Sequence, residues 1–312
     1  MTIEKKIHVC YNKEKGNRPN KEACMLFSTQ TMIPARVHGI FGAIDILADA
    51  GFTALDLTFD SEVAAYLDGD YITAAREIRA YADKRGVKFI QAHAPFGGGY
   101  DYYLGTTVPK FPAMFEMCRI IGIENVVIHP LQTGRYYGNE DTLFDMNVKF
   151  YTALAPLARA SGVRIAIENM WQRHPVTRAI CDDVLAPPEE LCKMYDTLAD
   201  PDAFTVCLDI GHVALCGREP ENAIRIIGRE RLGCLHVHDV DYVSDLHTLP
   251  GAARINWDSV CRALGEIDYT GSFNLEADYF YNGFAVELYP EVARFMAKVT
   301  ASLAETVDLY RP

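Results

Sequence analysis

The chain has 312 residues, 49% of them hydrophobic and 23% charged, enough apolar material for one large core and far from the composition of a disordered chain. A balance of 42 acidic against 30 basic residues leaves a net charge of −12, which argues against the broad basic surface that drives nucleic-acid affinity. The 9 cysteines are scattered without a Cys-x-x-Cys pair, several inside apolar runs such as Thr205-Val206-Cys207-Leu208, so they read as reduced core residues of a cytoplasmic protein. The opening Met1-Thr2-Ile3-Glu4-Lys5-Lys6-Ile7 lacks a signal peptide's apolar run, and no stretch approaches the ~18 apolar residues of a membrane span.

In chain order, residues 1–24 read as an N-terminal extension, followed by a strand near 25–31 and a helix near 37–50 that stops at Ala50-Gly51-Phe52. A strand at 53–58 and a helix at 71–85 end at Arg85-Gly86-Val87; a strand at 87–93 and a helix at 110–121 end at Ile121-Gly122-Ile123. A strand at 125–130 and a helix at 142–161 end at Ser161-Gly162-Val163. Glycine just past a helix supplies the left-handed cap that other residues adopt at a cost, so each junction is a helix stop. Strands near 163–169, 204–209, 233–239 and 272–277 alternate with helices near 188–198, 220–229, 257–265 and 288–309. Runs such as Asn125-Val126-Val127-Ile128 are nearly continuously apolar, as parallel strands buried under helices are.

This is a βα unit repeated eight times, predicting an α/β protein whose residues 25–312 close into a single-domain (β/α)8 TIM barrel. The competing doubly wound sheet lacks its usual Gly-x-Gly-x-x-Gly after the first strand. The long strand-to-helix segments 94–109, 170–187 and 240–256 then lie on the C-terminal face, where barrel active sites are built.

Residues with metal-ligating side chains stand where the strands end. The third gives His93, the fourth His129, the fifth Glu168, the sixth Asp209 and His212, and the eighth Glu276; the seventh gives His236-Val237-His238-Asp239-Val240-Asp241, with Asp245 and His247 shortly after. Singly, each reads as a hydrogen-bonded strand-end residue or a helix cap. Together, around one barrel mouth, they require compensation, because buried carboxylates are costly unless a cation pairs with them. Glu168, Asp209, His238 and Glu276 form an oxygen-rich set suited to Mn²⁺, Mg²⁺ or Co²⁺, with Zn²⁺ as a further option. His93, His129, His212, Asp245 and His247 would surround it as further ligands or as groups gripping a substrate. Of His236 and His238, only one is expected to reach the mouth; His238 is favoured as the more C-terminal, leaving His236 to pack or support the neighbouring strand.

Aromatic residues populate the long loops: Tyr100, Tyr102, Tyr103, Tyr136, Tyr137, Trp171, Tyr279 and Tyr281. Trp171 and Tyr279 are candidates to stack on a sugar face, with Arg173 a weaker candidate to meet a polar substrate. Arg135 and His174 read more readily as solvated loop residues. No phosphate-cradling Gly-rich loop and no Ser-centred nucleophile elbow is present.

Ala92-His93-Ala94-Pro95, Val127-Ile128-His129-Pro130, Ile167-Glu168-Asn169, Cys207-Leu208-Asp209-Ile210-Gly211-His212, His236-Val237-His238-Asp239 and Leu275-Glu276 together resemble the xylose isomerase-like TIM barrel superfamily. Resemblance to its ketose 3-epimerase and hydroxypyruvate isomerase branch implies one divalent ion on Glu168, Asp209, His238 and Glu276. It implies that Glu168 and Glu276 move the substrate's proton through a metal-stabilised enediolate, and that His212 holds a substrate oxygen. A sugar or sugar phosphate isomerase or epimerase is therefore expected, with a small-molecule carbohydrate substrate and no membrane or nucleic-acid partner. A homo-oligomer is compatible with the exposed aromatics near 279–284. Xylose isomerase itself is the poorer match: Asn169-Met170-Trp171 follows the fifth strand and no Lys occurs between there and Lys193. Two alternatives use the same residues. The endonuclease IV branch resembles this chain at His93, His129, Glu168, Asp209, His212, His238, Asp245, His247 and Glu276, implying three zinc ions and phosphodiester hydrolysis. A metal-dependent dehydratase or lyase on a sugar or inositol derivative is the other.

Overall fold

The computed structural model of the protein describes residues 25–312; the expected extension 1–24, with Cys10 and Cys24, lies outside the described residues. Eight parallel strands form one sheet: β1 (Phe27–Gln30), β2 (Ala54–Thr58), β3 (Lys88–His93), β4 (Asn125–Ile128), β5 (Arg164–Glu168), β6 (Phe204–Asp209), β7 (Leu232–His236) and β8 (Phe273–Leu275). Their order is β8-β1-β2-β3-β4-β5-β6-β7. A parallel bridge between Val237 and Leu275, with Val237 N–H donating to Asn274 O (2.9 Å) and Glu276 N–H to Val237 O (2.8 Å), joins the last two edges. The expected (β/α)8 barrel is the observed fold.

The outer helices are α1 (Met32–Ala50), α2 (Tyr71–Arg85), α3 (Phe111–Ile121), α4 (Glu140–Ser161), α5 (Pro188–Leu198), α6 (Pro220–Ile227), α7 (Trp257–Glu266) and α8 (Tyr289–Leu309). The glycines read as stops, 51, 86, 122 and 162, all adopt the left-handed cap conformation. Helix α1 begins earlier than expected because it continues N-terminal to a kink at Gly39 (φ 68°), where the Glu62 carboxylate accepts from Ile40 N–H (3.1 Å). The segment 170–187, expected as loop, contains an antiparallel hairpin pairing Trp171–Arg173 with Ile180–Asp182.

The main apolar core lies between barrel and helices. Inside the barrel, Val127, Ala166, Cys207 and Cys234 form a small apolar plug. Beside it is a polar network that the apolar strand runs conceal: Ser28 Oγ donates to Asn274 Oδ1 (2.6 Å), and Asp56 Oδ2 accepts from Gln91 Nε2 (2.8 Å) and Asn274 Nδ2 (2.8 Å). The described cysteines are all free, and no helix among the described residues is long and apolar enough to cross a membrane.

Candidate active site

Each barrel strand delivers its last residues to the same mouth, which brings Glu168, Asp209, His236 and Glu276 together with potential ligand atoms all within 4.8 Å of one another. All four are buried. His236 Nδ1 lies 2.7 Å from Glu168 Oε1 and 3.1 Å from Glu276 Oε2. The expectation that His238 would complete this group is corrected: the imidazole among the carboxylates is that of His236. Residues two apart on a strand share a face, so Cys234, His236 and His238 all turn inward in successive layers. Cys234 joins the apolar plug, His236 meets the glutamates, and His238 lies beyond, its Nε2 3.0 Å from Asp209 Oδ1.

Two further groups flank the central one. On one side His129 Nε2 is 2.9 Å from Glu168 Oε2, and His93 Nε2 is 3.0 Å from His129 Nε2; His93, Glu168 and His236 form a second possible ion-holding group. On the other side His212, His238, Asp245 and His247 form a third. There His212 Nε2 is 3.7 Å from Asp209 Oδ2 and His247 Nε2 is 3.2 Å from Asp245 Oδ1. Glu168 and Asp209 thus each face two groups. All five of the additional candidates, His93, His129, His212, Asp245 and His247, lie at this mouth.

The histidine tautomers follow from main-chain partners. His93, His212 and His247 each place Nδ1 against a carbonyl, of Ala94 (2.8 Å), Asn169 (2.8 Å) and Glu276 (3.1 Å). A carbonyl only accepts, so each Nδ1 carries the hydrogen. In His93, which is neutral, Nε2 then carries the lone pair, whereas His247 Nε2 faces the Asp245 carboxylate, which, against the effect of burial, helps hold that imidazole well above its ordinary value.

Local sequence explains the positioning. Asn169 clasps Asp209 at both main-chain atoms, accepting from its N–H (2.8 Å) and donating to its O (3.1 Å). Gly211 is required because a Cβ there would stand 2.1 Å from the His238 ring. Asp239, one of the strand-end acids, is fully used as an acceptor for Val240, Gly251, Ala253, Arg254 and Ile255 N–H and for Trp257 Nε1–H, at 2.8–3.1 Å. It anchors the 240–256 loop that carries Asp245 and His247. His247 itself adopts a positive φ of 38°, an uncommon conformation that folded surroundings impose at functional sites, and its ring stacks on His238 at 4.0 Å.

Sequence reading missed three polar residues here. Asp56, buried in β2, lies 3.8 Å from His236 Nε2. Gln30 donates to Glu276 Oε1 (2.7 Å). Asp278 is buried with Oδ2 unpartnered. The Ala54-Leu55-Asp56-Leu57 run held a signal, a carboxylate within an apolar strand, but it precedes the strands whose ends drew attention.

The electrostatics are asymmetric. Burial pushes Glu168 upward, but His236 and His129 outweigh it and hold the carboxyl well below its ordinary range. Burial pushes Glu276 well above the ordinary value, with His236 and His247 only partly opposing. Burial also pulls His93 down to about 3, assisted by His129, which keeps its imidazole neutral. Glu168 Oε2 faces His129 Nε2 and Glu276 Oε2 faces His236 Nδ1, while Nδ1 of His238 has no hydrogen-bond partner. Three carboxylates buried within the central group are costly without compensating positive charge, and these buried His, Asp and Glu groups could hold a metal ion.

The rim is aromatic. Phe96 packs on His93 (4.8 Å) and His129 (5.2 Å), Trp171 on His212 (6.4 Å) and Tyr279 on His247 (5.2 Å). Arg173 stands over Trp171 at 5.5 Å. Tyr136 and Tyr281 are buried, and His174 accepts from Val176 and Thr177 N–H within the hairpin turn.

The sequence profile of the xylose isomerase-like TIM barrel family matches residues 44–299. The chain belongs to that family. A curated relative, "Uncharacterized protein y4fM" of Sinorhizobium fredii (strain NBRC 101917 / NGR234), is 27% identical over 268 residues, 77% of this chain and 81% of the relative. Among solved structures, a D-tagatose 3-epimerase-like protein superposes with TM-score 0.66 at 21% identity, over 88% of this chain and 100% of that one. The IOLI protein with a binding zinc atom gives 0.68 at 18%, covering 92% and 99%. The 3-keto-D-glucoside 4-epimerase YcjR from E. coli gives 0.65 at 13%, covering 89% and 100%.

Proposed function

We propose that this family member is a divalent-metal-dependent isomerase or epimerase of a sugar or sugar derivative, working by proton transfer at a carbon next to a carbonyl. The observation that carries the reading is the pair Glu168 and Glu276. Both approach one nitrogen of His236, at 2.7 and 3.1 Å, within one buried group that also holds Asp209. Two carboxylates so placed suit removal of a proton by one and its return by the other. Glu168, Asp209, His236 and Glu276 would hold the ion, with Mn²⁺, Co²⁺, Mg²⁺ and Zn²⁺ all compatible with three carboxylates and one imidazole. When bound, the ion supplies Lewis-acid stabilisation of the negative charge that develops on a substrate carbonyl oxygen. Glu168 removes the proton from the adjacent carbon and Glu276 delivers one back. Neutral His93 accepts a hydrogen bond from a substrate hydroxyl through Nε2, His212 meets a further substrate oxygen, and Trp171 and Tyr279 cover the ring. The epimerases among the structural relatives support a carbohydrate substrate. Incubation with a ketose panel in heavy water tests this by nuclear magnetic resonance: deuterium is expected at the exchangeable carbon, and no exchange across the panel rejects the reading.

A second reading has its own observation. The central group shares Glu168 with His93 and His129, and Asp209 with His212 and His238, and three of the flanking imidazoles aim Nε2 inward. Such a shared layout suits two or three ions and phosphoester hydrolysis. Two or three zinc ions per chain, with chelator-sensitive cleavage of an abasic-site duplex, would put this reading first. The dehydratase or lyase alternative shares the first proton abstraction and is separated by its product, in which a hydroxyl or larger group has been lost.

A further inference from the structure

Beside His129 a cavity of about 150 Å³ opens between the loop that follows β3 and the residues that follow β4. Phe96 and His129 both line this cavity, and the Phe96 ring packs on His93 and His129 while remaining 52% exposed. The other lining side chains are Tyr100, Tyr103, Pro130, Leu131 and Gln132, so no Asp, Glu, Lys or Arg takes part. The volume is that of cavities that accept a single benzene ring, and it is smaller than the ~300–1,000 Å³ of a pocket for a whole ligand.

We infer that this cavity is a subsite for an aromatic aglycone, the phenyl or phenol group of a glycoside whose sugar occupies the site described above; the inference rests on the sugar reading for the sugar part only. A sugar ring in the same place would turn several hydroxyls against Phe96, Tyr100, Pro130 and Leu131, each left unpaired at a cost. An aryl ring instead meets aromatic faces and edges in the geometries they prefer. Gln132 completes the match: its Nε2 is engaged by Trp171 O (3.3 Å) and Asp183 Oδ2 (2.7 Å), which orients the amide and leaves Oε1 to accept from a phenolic hydroxyl. Gly97, Gly98 and Gly99 all have positive φ (89°, 82° and 77°), a backbone path between two lining residues, Phe96 and Tyr100, that glycine adopts without side-chain cost.

The test is binding to the metal-loaded full chain, by isothermal titration and saturation-transfer resonance, of phenyl β-D-glucopyranoside, methyl β-D-glucopyranoside and phenol. The phenyl glucoside should bind at least about tenfold tighter than the methyl glucoside. That preference should collapse in Leu131→Trp, which fills the cavity, and in Phe96→Ala, a half-exposed position whose truncation spares the core. Equal affinity for the two glucosides, or a preference untouched by Phe96→Ala, overturns the inference. Phenol binding that Phe96→Ala weakens, without binding of either glucoside, would support the subsite while counting against the sugar reading; absence of phenol binding as well would overturn the subsite.

Discussion

Replacing His236 and His238 separately decides which imidazole completes the central site. His236→Gln removes the nitrogen that stands 2.7 Å from Glu168 and 3.1 Å from Glu276, so the central group loses its only imidazole. His238→Gln removes a ring that touches Asp209 from the outer side and leaves the central set whole. An ion at a concentration of 100 times its dissociation constant stabilises the chain by ~2.7 kcal/mol. An unfolding entropy of about 2.1 cal/mol/K per residue over roughly 290 residues is about 0.6 kcal/mol/K, so the ion should raise Tm by ~4–5 °C. The assay is differential scanning fluorimetry of chelator-treated protein with and without Mn²⁺, paired with metal analysis. His236→Gln should reduce the shift to below ~1 °C and His238→Gln should keep most of it. The reverse result, a shift retained without His236 and lost without His238, would refute the reasoning from geometry.

Asp56→Asn removes a buried carboxylate 3.8 Å from His236 Nε2 and should weaken metal binding by up to about tenfold, read by isothermal titration, with an unchanged circular dichroism spectrum; unaltered affinity would deny Asp56 any role in supporting His236. Glu168→Gln and Glu276→Gln should each abolish deuterium incorporation from heavy water, and near-full exchange in either variant would remove that residue from the proton path. Gly211→Ala forces a Cβ to within 2.1 Å of the His238 ring, so the Tm of the metal-free chain should drop by a few degrees, since overpacking costs ~1–3 kcal/mol; a variant with the wild-type Tm would contradict the packing.

The barrel was legible because its signals are local: helix-ending glycines at 51, 86, 122 and 162, and short apolar strands between them. The mouth was legible for a related reason, since closure turns strand-end residues into neighbours whatever their separation in sequence. What escaped depends on side-chain direction and on the interior. Taking His236 and His238 as opposed ignored that a period of two places them on one side. Asp56, Gln91 and Asn274 sit within short strands whose apolar neighbours face the helices, and only the barrel's closure reveals that these polar residues satisfy one another. Asp239 looked like a ligand because its type and place were right; six donors converging from the loop after β7 and the start of α7, none adjacent in sequence except Val240, show it to be an anchor. The hairpin at 171–182 was hidden because its strands are three residues each, too short for periodicity to register.

The sharing of Glu168 and Asp209 makes the number of ions and the chemistry one question. A single ion held by Glu168, Asp209, His236 and Glu276 would leave the flanking imidazoles, neutral His93 among them, to meet substrate hydroxyls, and Glu168 could act as the base. Ions in the flanking groups would engage the same oxygens and imidazole nitrogens. Glu168 would then lose basicity toward a carbon-bound proton, and the three charges would favour the negative charge accumulating on a phosphoester in its transition state. Proton transfer and phosphoester hydrolysis therefore compete for the same atoms in this mouth. Activity measured against metal loading should accordingly move in opposite directions for the two reactions: deuterium exchange highest at about one ion per chain and falling as further zinc binds, phosphoester cleavage absent until the flanking groups fill. Exchange that rises in parallel with second and third ions would show that Glu168 is not the base.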